Sequence, residues 1–445
     1  MNREKFGKSN WFILILFGLI GQIAWAVENM YFNTFVFNTI EKNLSAITLM
    51  VQLSGVTATV VTLVAGTLSD KIGNRRRFIS IGYLIWGITV APFGFISPEL
   101  TASIFGVGTE RAIEITLAIV IIGDCVMTAF GSTANDASFN AWVTDNTKSA
   151  FRGTVEGVLA ILPLVAMLIV AGGFGILVEA VGYRTVFLIM GIVISLCGGA
   201  GLLIIKDSPA LQRSGSMKNI FYGFRPAVIR ANSPLYISLL IVLVYGIACQ
   251  IFMPYLIIYM NYYLGFSVPE YSVVFALAIL LGAGVNLYLT RLSDRREKTG
   301  MLYIAVAIFG AGLIAMYFSR GLGKMGTLVA FGIAGFVMIC GNIFISALTG
   351  SLVRDYTPDG EVGKLQGVRM VFSVLIPMLL GPMIGNLINS ARNIPLPDMD
   401  SADSMTTSYI PAPEIFLAAG LLTLVLLLVV PLLKKSIAAK KNCES

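Results

Sequence analysis

Apolar residues run along this chain in long blocks separated by short polar turns, with none of the strict alternation of half-buried strands. About 20 helical residues cross a hydrocarbon core ~30 Å thick, and the blocks reach that length again and again. Twelve are present, at approximately 11–38, 45–68, 78–97, 112–141, 154–180, 184–205, 234–264, 271–292, 301–319, 325–352, 367–390 and 412–433. The pattern predicts an all-α integral membrane protein with twelve transmembrane helices. Arg3, Lys5 and Lys8 precede the first block, but its length and the lack of a small-residue cleavage site predict a retained helix rather than a signal peptide.

Composition agrees: 56% of the 445 residues are hydrophobic, 12% are charged, and the mean hydropathy is +0.84. Charge then sets the orientation. With both termini cytoplasmic, the inner segments carry 25 of the 31 Lys and Arg and the outer loops carry 6, a strong positive-inside bias. The net charge of +7 is explained by a cytoplasmic face meeting anionic lipid, with no nucleic-acid partner required. Cys125, Cys197, Cys249 and Cys340 fall inside apolar blocks and Cys443 in the tail, so neither a disulfide nor a metal site is expected. The expected location is the cell membrane.

The longest polar interruption lies between blocks six and seven. It divides the chain into an N-terminal six-helix bundle at 1–205, a cytoplasmic central loop at 206–233, and a C-terminal six-helix bundle with its tail at 234–445. Two local repeats support the division. "GTLSDKIGNRRR" (66–77) matches "LTRLSDRREKTG" (289–300), each with Leu-Ser-Asp before a basic cluster. At an offset of 210, Val143, Asp145, Thr147, Gly153, Gly157 and Val158 match Val353, Asp355, Thr357, Gly363, Gly367 and Val368. Two repeats in one order at predicted cytoplasmic turns imply two pseudo-symmetric bundles. Asp70, Arg75, Arg76, Asp145, Arg152, Asp294, Arg295 and Asp355 cluster at these turns and are expected to act in gating. A carboxylate such as Asp70 suits the positive N-terminal end of a helix in the other half.

"GTLSDKIGNRRR" resembles the loop motif of the major facilitator superfamily, with Gly66, Asp70, Lys71, Gly73, Arg75 and Arg76 in place. The resemblance extends over essentially the whole chain and implies the major facilitator fold: two six-helix bundles rocking about a central site lined by helices one, four, seven and ten. Within the superfamily, "GQIAWAVENMYFNTF" looks similar to the first helix of sucrose transporters and of the overlapping glycoside-pentoside-hexuronide symporters, through Gly21, Gln22, Trp25, Ala26 and Glu28. "RRRFISIG" and "NAWVTD" resemble the same branch. The fourth-helix acid of that branch has no aligned partner here when Asp145 is the anchor; Asp124 and Asp136 are the nearby acids, and the choice between them stays open.

An ionisable group at bilayer depth is disfavoured by at least ~2.5 kcal/mol, so Glu28 needs a partner or a watery chamber. In helical projection Gln22, Trp25, Asn29 and Asn33 share one face with Glu28 at its edge, and in the fourth block Asp124, Thr128, Ser132, Asn135, Asp136 and Phe139 form a polar stripe. Block seven adds Tyr245, Gln250 and Tyr255, and block ten adds Asn342 and Ser346. Helix-to-helix hydrogen bonding explains Ser132, Ser346 and Asn342 as well as ligand contact does; packing is an alternative for Trp25 and Tyr255, though facing an aqueous cavity they would be good platforms for the apolar face of a sugar.

With no histidine in the chain, proton coupling must rest on carboxyls, which burial favours neutral and water favours ionised; Glu28 and Asp124 are the candidates. No group of carboxylates on neighbouring helices suits sodium, which is the less expected coupling ion. No Lys or Arg lies near mid-membrane, which disfavours anionic substrates and favours a small neutral polyhydroxylated one. The expectation is a monomeric, proton-coupled symporter of a neutral sugar or glycoside, with Gln22, Trp25, Asn29, Asn33, Thr128, Asn135, Asp136, Tyr245, Gln250, Tyr255 and Asn342 contacting substrate. The alternative is a proton-coupled exporter of lipophilic cations. A transporter-like sensor would want a larger cytoplasmic loop. An enzyme is not expected, since no nucleophile with a base, metal cluster or phosphate loop is apparent, and no cofactor is implied.

Overall fold

The computed structural model describes residues 7–147, 152–208, 222–293, 297–358, 362–396 and 409–444. Eleven uninterrupted helical runs among them are long and apolar enough to cross a membrane. Ten match ten of the expected spans. The eleventh, Ile161–Ile204, has 44 residues, about twice what one crossing needs, and covers spans five and six together. It breaks at Gly182, where φ is 78° and ψ 160°, a conformation open to glycine and strained for other residues. The break falls between the spans read at 154–180 and 184–205, so the apolar pattern and the backbone agree.

The helices are α1 (Lys8–Thr39), α2 (Leu44–Ile72), α3 (Arg75–Phe95), α4 (Thr109–Asn146), α5 (Arg152–Ile169), α6 (Gly175–Ile204), α7 (Ser233–Tyr263), α8 (Val268–Ser293), α9 (Lys298–Phe318), α10 (Gly323–Tyr356), α11 (Leu365–Arg392) and α12 (Glu414–Glu444). A two-residue antiparallel ladder, Ile394–Pro395 with Tyr409–Ile410, closes the connection before α12.

The chain forms two compact units. One comprises 1–41 with 56–219; the other comprises 42–55 with 220–445. Chain order and packing differ at 42–55: sequence order puts this segment in the first bundle, whereas its contacts belong to the second unit. The reason is polar. Within that unit Thr48 Oγ1 lies 2.6 Å from the Tyr255 hydroxyl, Gln52 Nε2 donates to the Leu379 carbonyl at 2.8 Å, and Asn386 Nδ2 donates to Ser45 Oγ at 3.1 Å.

Among the described residues, five π-helical turns interrupt the helices. Those at Glu28–Phe32 and Val170–Phe174 in the first unit have counterparts at Tyr259–Tyr263 and Val371–Leu375 in the second. The fifth, Ser132–Phe139 in α4, has none, since α10 is α-helical throughout. Each π turn adds a residue to the register and rotates the remainder of its helix, and such turns gather at functional positions. The unmatched one carries Asn135 and Asp136.

In the first unit the tightest helix pairing is α3 against α6, at small residues. A Cβ on Gly198 would overlap the Leu84 backbone nitrogen and come within 2.7 Å of the Ser80 carbonyl, whereas one on Gly199 would meet nothing within 4 Å. We therefore expect Gly198→Ala to lower stability in detergent by about 1–3 kcal/mol through overpacking, and Gly199→Ala to be neutral or stabilising by up to about 1 kcal/mol. Thermal unfolding of the two variants side by side checks this; matching melting temperatures would contradict it.

Candidate functional site

Glu28 sits where α1 passes from α to π geometry, with its backbone N–H still directed to the carbonyls of Ala24 and Trp25. Its side chain is half-buried and faces α4, where Thr128 Oγ1 donates to Glu28 Oε1 at 3.1 Å. One turn before Thr128 is Asp124, only 2% exposed. Cys125 lies within the field of both carboxylates and takes a hydrogen bond with Thr57 of α2. Two acids, a threonine hydroxyl and a thiol thus converge inside the first unit.

On another side Glu28 borders a small cavity of about 20 Å³. Its remaining walls are apolar or aromatic: Ala24, Val27 and Phe32 from α1, Trp86 and Val90 from α3, Met127 from α4, and Phe187, Met190 and Ile194 from α6. Trp25 packs on Trp86 with ring centroids 5.1 Å apart. Trp86 is 1% exposed, and it also meets Tyr83 edge-on.

A second polar group occupies the π turn of α4. Asn135 Nδ2 donates to Asp136 Oδ1 at 3.1 Å, and Ser132 and Trp25 are the other polar neighbours of that carboxylate. The Tyr83 hydroxyl donates to the Phe17 carbonyl at 2.7 Å and lies 3.0 Å from Asn135 Oδ1. Gly21 makes this possible, because a Cβ there would run into both Asn135 Oδ1 and the Tyr83 hydroxyl. Trp25 joins the two groups, since it is one α-helical turn before Glu28 and beside Asp136.

The face projected for α1 does not survive intact. Gln22 and Trp25 are partly exposed and Asn29 is exposed, its Nδ2 bonded to the Trp25 carbonyl at 2.8 Å. Asn33 is 1% exposed, with its Nδ2 on the Asn29 carbonyl at 3.2 Å. The π turn between them adds a residue, so the 3.6-residue projection misplaces everything after Glu28.

In the second unit Tyr245, Cys249 and Asn342 form one network: the Tyr245 hydroxyl donates to Asn342 Oδ1, and Cys249 Sγ lies 3.5 Å from the same oxygen. Gln250 is half-buried and packs its Cβ over Gly381, while Ser346 is exposed. Tyr255 is fully buried, with its hydroxyl bonded to the Pro382 carbonyl at 2.9 Å and to Thr48, which fits the packing alternative.

The charged turns pair within each unit. Arg75, 5% exposed, forks to Asp70, to Asp145 Oδ2 at 2.9 Å and to Ser69 Oγ at 2.6 Å. Within its own unit Asp70 pairs with Arg75. Arg76 ties α3 to the end of α6, its backbone N–H donating to Asp207 Oδ1 at 2.9 Å and its guanidinium to the Leu202 carbonyl. The repeat appears in space too: at the start of α9, Lys298 Nζ contacts Asp355 Oδ2 at 2.5 Å and Ser351 Oγ at 2.6 Å. Asp294, Arg295 and the Arg152 side chain lie outside the described residues. Among the described residues no cluster of His, Cys, Asp and Glu suits a metal ion.

Sequence reasoning missed Trp86, Tyr83 and Thr57, all on helices flanking α1 and α4. Trp86 carried a weak signal, as one of only four tryptophans in the chain.

Two bundles of spanning helices with a carboxylate-bearing site define a polytopic membrane transporter. A model of the Major Facilitator Superfamily matches residues 11–382, and the chain belongs to that superfamily. No curated protein matches it. Two crystal structures of the nucleoside transporter NupG, one of a point mutant, share the fold with TM-scores of 0.66 and 0.68 at 13% identity. They cover 95% of this chain and 98% and 99% of theirs. A bacterial homologue of the human lysosomal transporter Spinster, inward-facing and occupied, aligns with a TM-score of 0.64 at 15% identity over 95% of this chain and 96% of its own.

Because one planar fork serves Asp70, Asp145 and Ser69, lysine cannot replace Arg75. Arg75→Lys should destabilise the protein by about 1–3 kcal/mol, the range for hydrogen bonds to charged groups. Thermal unfolding measures it; a variant as stable as the parent would contradict the shared-fork assignment.

Proposed function

We propose that this protein is a proton-coupled symporter of a neutral, polyhydroxylated solute such as a sugar or glycoside, working by alternating access in the cell membrane with both termini cytoplasmic. The observation that carries the reading is the Glu28–Thr128 pair with Asp124 one turn away: carboxylates placed at bilayer depth, on two facing helices, with no basic side chain near mid-membrane. A fixed cation would be wanted for an anionic substrate, and a multi-carboxylate cage for sodium. Protonation of Glu28 when it is occluded, and its release when water reaches it, would link solute movement to the proton gradient.

Hydroxyl-rich solutes also suit the rest of the set. Trp25 offers an aromatic face with an apolar ring and a polar edge. Gln22, Asn29, Asp136 and, in the second unit, Gln250 are all partly or fully exposed and offer donors and acceptors. The nucleoside named for NupG is itself neutral and hydroxylated, and nucleosides belong in the test panel. Export of lipophilic cations is the competing reading. It wants a wide apolar chamber at Glu28, and the apolar cavity beside that residue, about 20 Å³, has room for about one water. The proposal takes Asp136 as a substrate contact and Glu28 with Asp124 as the proton-linked pair.

The test is uptake of labelled sugars, glycosides and nucleosides, with lipophilic cations alongside, into reconstituted vesicles under an imposed proton gradient. At least one neutral solute should accumulate against its gradient. Glu28→Gln should abolish accumulation while leaving solute exchange measurable. Gradient-driven movement of cations alone would overturn the proposal, and so would accumulation unchanged in Glu28→Gln.

A further inference from the structure

The cavity between α1, α3, α4 and α6 holds a combination not required by substrate binding. It lies inside the first unit and all but one of its lining residues are apolar or aromatic. Trp86, one of those residues, has a buried indole N–H with no hydrogen-bond partner among the described residues. Glu28 is the one wall residue that carries a formal charge.

A buried N–H is a strong donor that native structures nearly always satisfy, by protein or by ordered water. The immediate surroundings of Trp86 offer rings and small side chains: Trp25 packs on it at a tilt, Tyr83 meets it edge-on, and its Cε2 and Cζ2 are the atoms that a Cβ on Gly131 would strike at 2.8 and 2.9 Å. The Tyr83 hydroxyl is committed to Phe17 and Asn135. What remains is the cavity. At about 20 Å³ it exceeds the 10–15 Å³ that one water needs and falls far short of any organic solute. An empty cavity of this size would be expected were its lining wholly apolar; a buried donor and a carboxylate make it a water site.

We propose that this cavity binds a single water molecule that accepts the Trp86 indole N–H and donates to the Glu28 carboxyl group. Glu28 is then held on two sides, by Thr128 from α4 and by water anchored on α3. Trp86 is a positioning residue, acting on Glu28 through the water and touching neither solute nor the Thr128 hydroxyl. The assignment stands on the cavity and the indole and does not depend on which solute is carried.

The test is infrared spectroscopy of the purified full-length protein in detergent, comparing ordinary water with H2-18O. The second O–H of the cavity water, the one facing apolar side chains, gives a narrow, weakly bonded stretch that shifts with 18O, apart from the broad bulk band. The parent protein should show it. Trp86→Phe, which keeps a ring and removes the N–H, should lose it, and Glu28→Gln should retain it at a shifted frequency. Should Trp86→Phe fail to fold, as judged by its melting curve, the parent and Glu28→Gln decide: a band that moves in Glu28→Gln supports the site. Absence of the band from the parent, its persistence unshifted in Glu28→Gln, or its persistence in folded Trp86→Phe would overturn it. None of these readouts involves transport, so failure here is distinct from failure of the symport proposal.

Discussion

A carboxylate in a lipid-spanning helix must be hydrated, paired or neutral, and the first unit is arranged around that demand. Glu28 meets Thr128 at 3.1 Å, Asp124 is one turn away, and Asp136 lies two further turns along α4 among Asn135, Ser132 and Trp25. Both α1 and α4 abandon regular α geometry at these residues, at Glu28–Phe32 and Ser132–Phe139. Packing is shaped by the same demand: Gly21 stays bare so that Tyr83 and Asn135 can meet beside it.

The second unit shows what the fold looks like without that burden. It repeats the Val170–Phe174 and Glu28–Phe32 π turns at Val371–Leu375 and Tyr259–Tyr263, and it repeats the basic-to-acidic clasp as Lys298 to Asp355. Its Tyr245–Cys249–Asn342 network is made of neutral groups. The α4 π turn has no repeat. Duplication therefore accounts for the frame, including the π turn that opens on Glu28, and the departure from it marks the Asn135–Asp136 group. The clasps differ as well: Arg75 is nearly buried and three-way bonded, whereas Lys298 is one-third exposed, and an exposed pair contributes less.

Much of the frame was legible because the signal is large: a spanning helix must be apolar for about 20 residues whatever surrounds it. Even the one merged run, Ile161–Ile204, splits at a glycine lying between two blocks visible in the sequence. Glu28, Asp124 and Thr128 were legible for the opposite reason, as polar residues where polarity is disfavoured. What the sequence did not show depends on partners distant in sequence and on helix register. Tyr255 reads as a cavity aromatic until Thr48 and the Pro382 carbonyl occupy its hydroxyl. Asn33 reads as part of a polar face until a π turn rotates it into the core. Asp70 reads as an anion without a partner until the structure pairs it with Arg75 in its own unit. No periodicity reports a one-residue insertion into a helix, or which hydroxyl is already bonded.

The central claim is that the acids of the first unit carry a proton with the solute. The most direct measurement is of the proton itself: add a transported neutral solute to vesicles in lightly buffered medium, without an imposed gradient, and record external pH. Symport predicts an immediate alkalinisation that scales with solute entry and is abolished by a protonophore. Solute entry with no accompanying proton movement would contradict it.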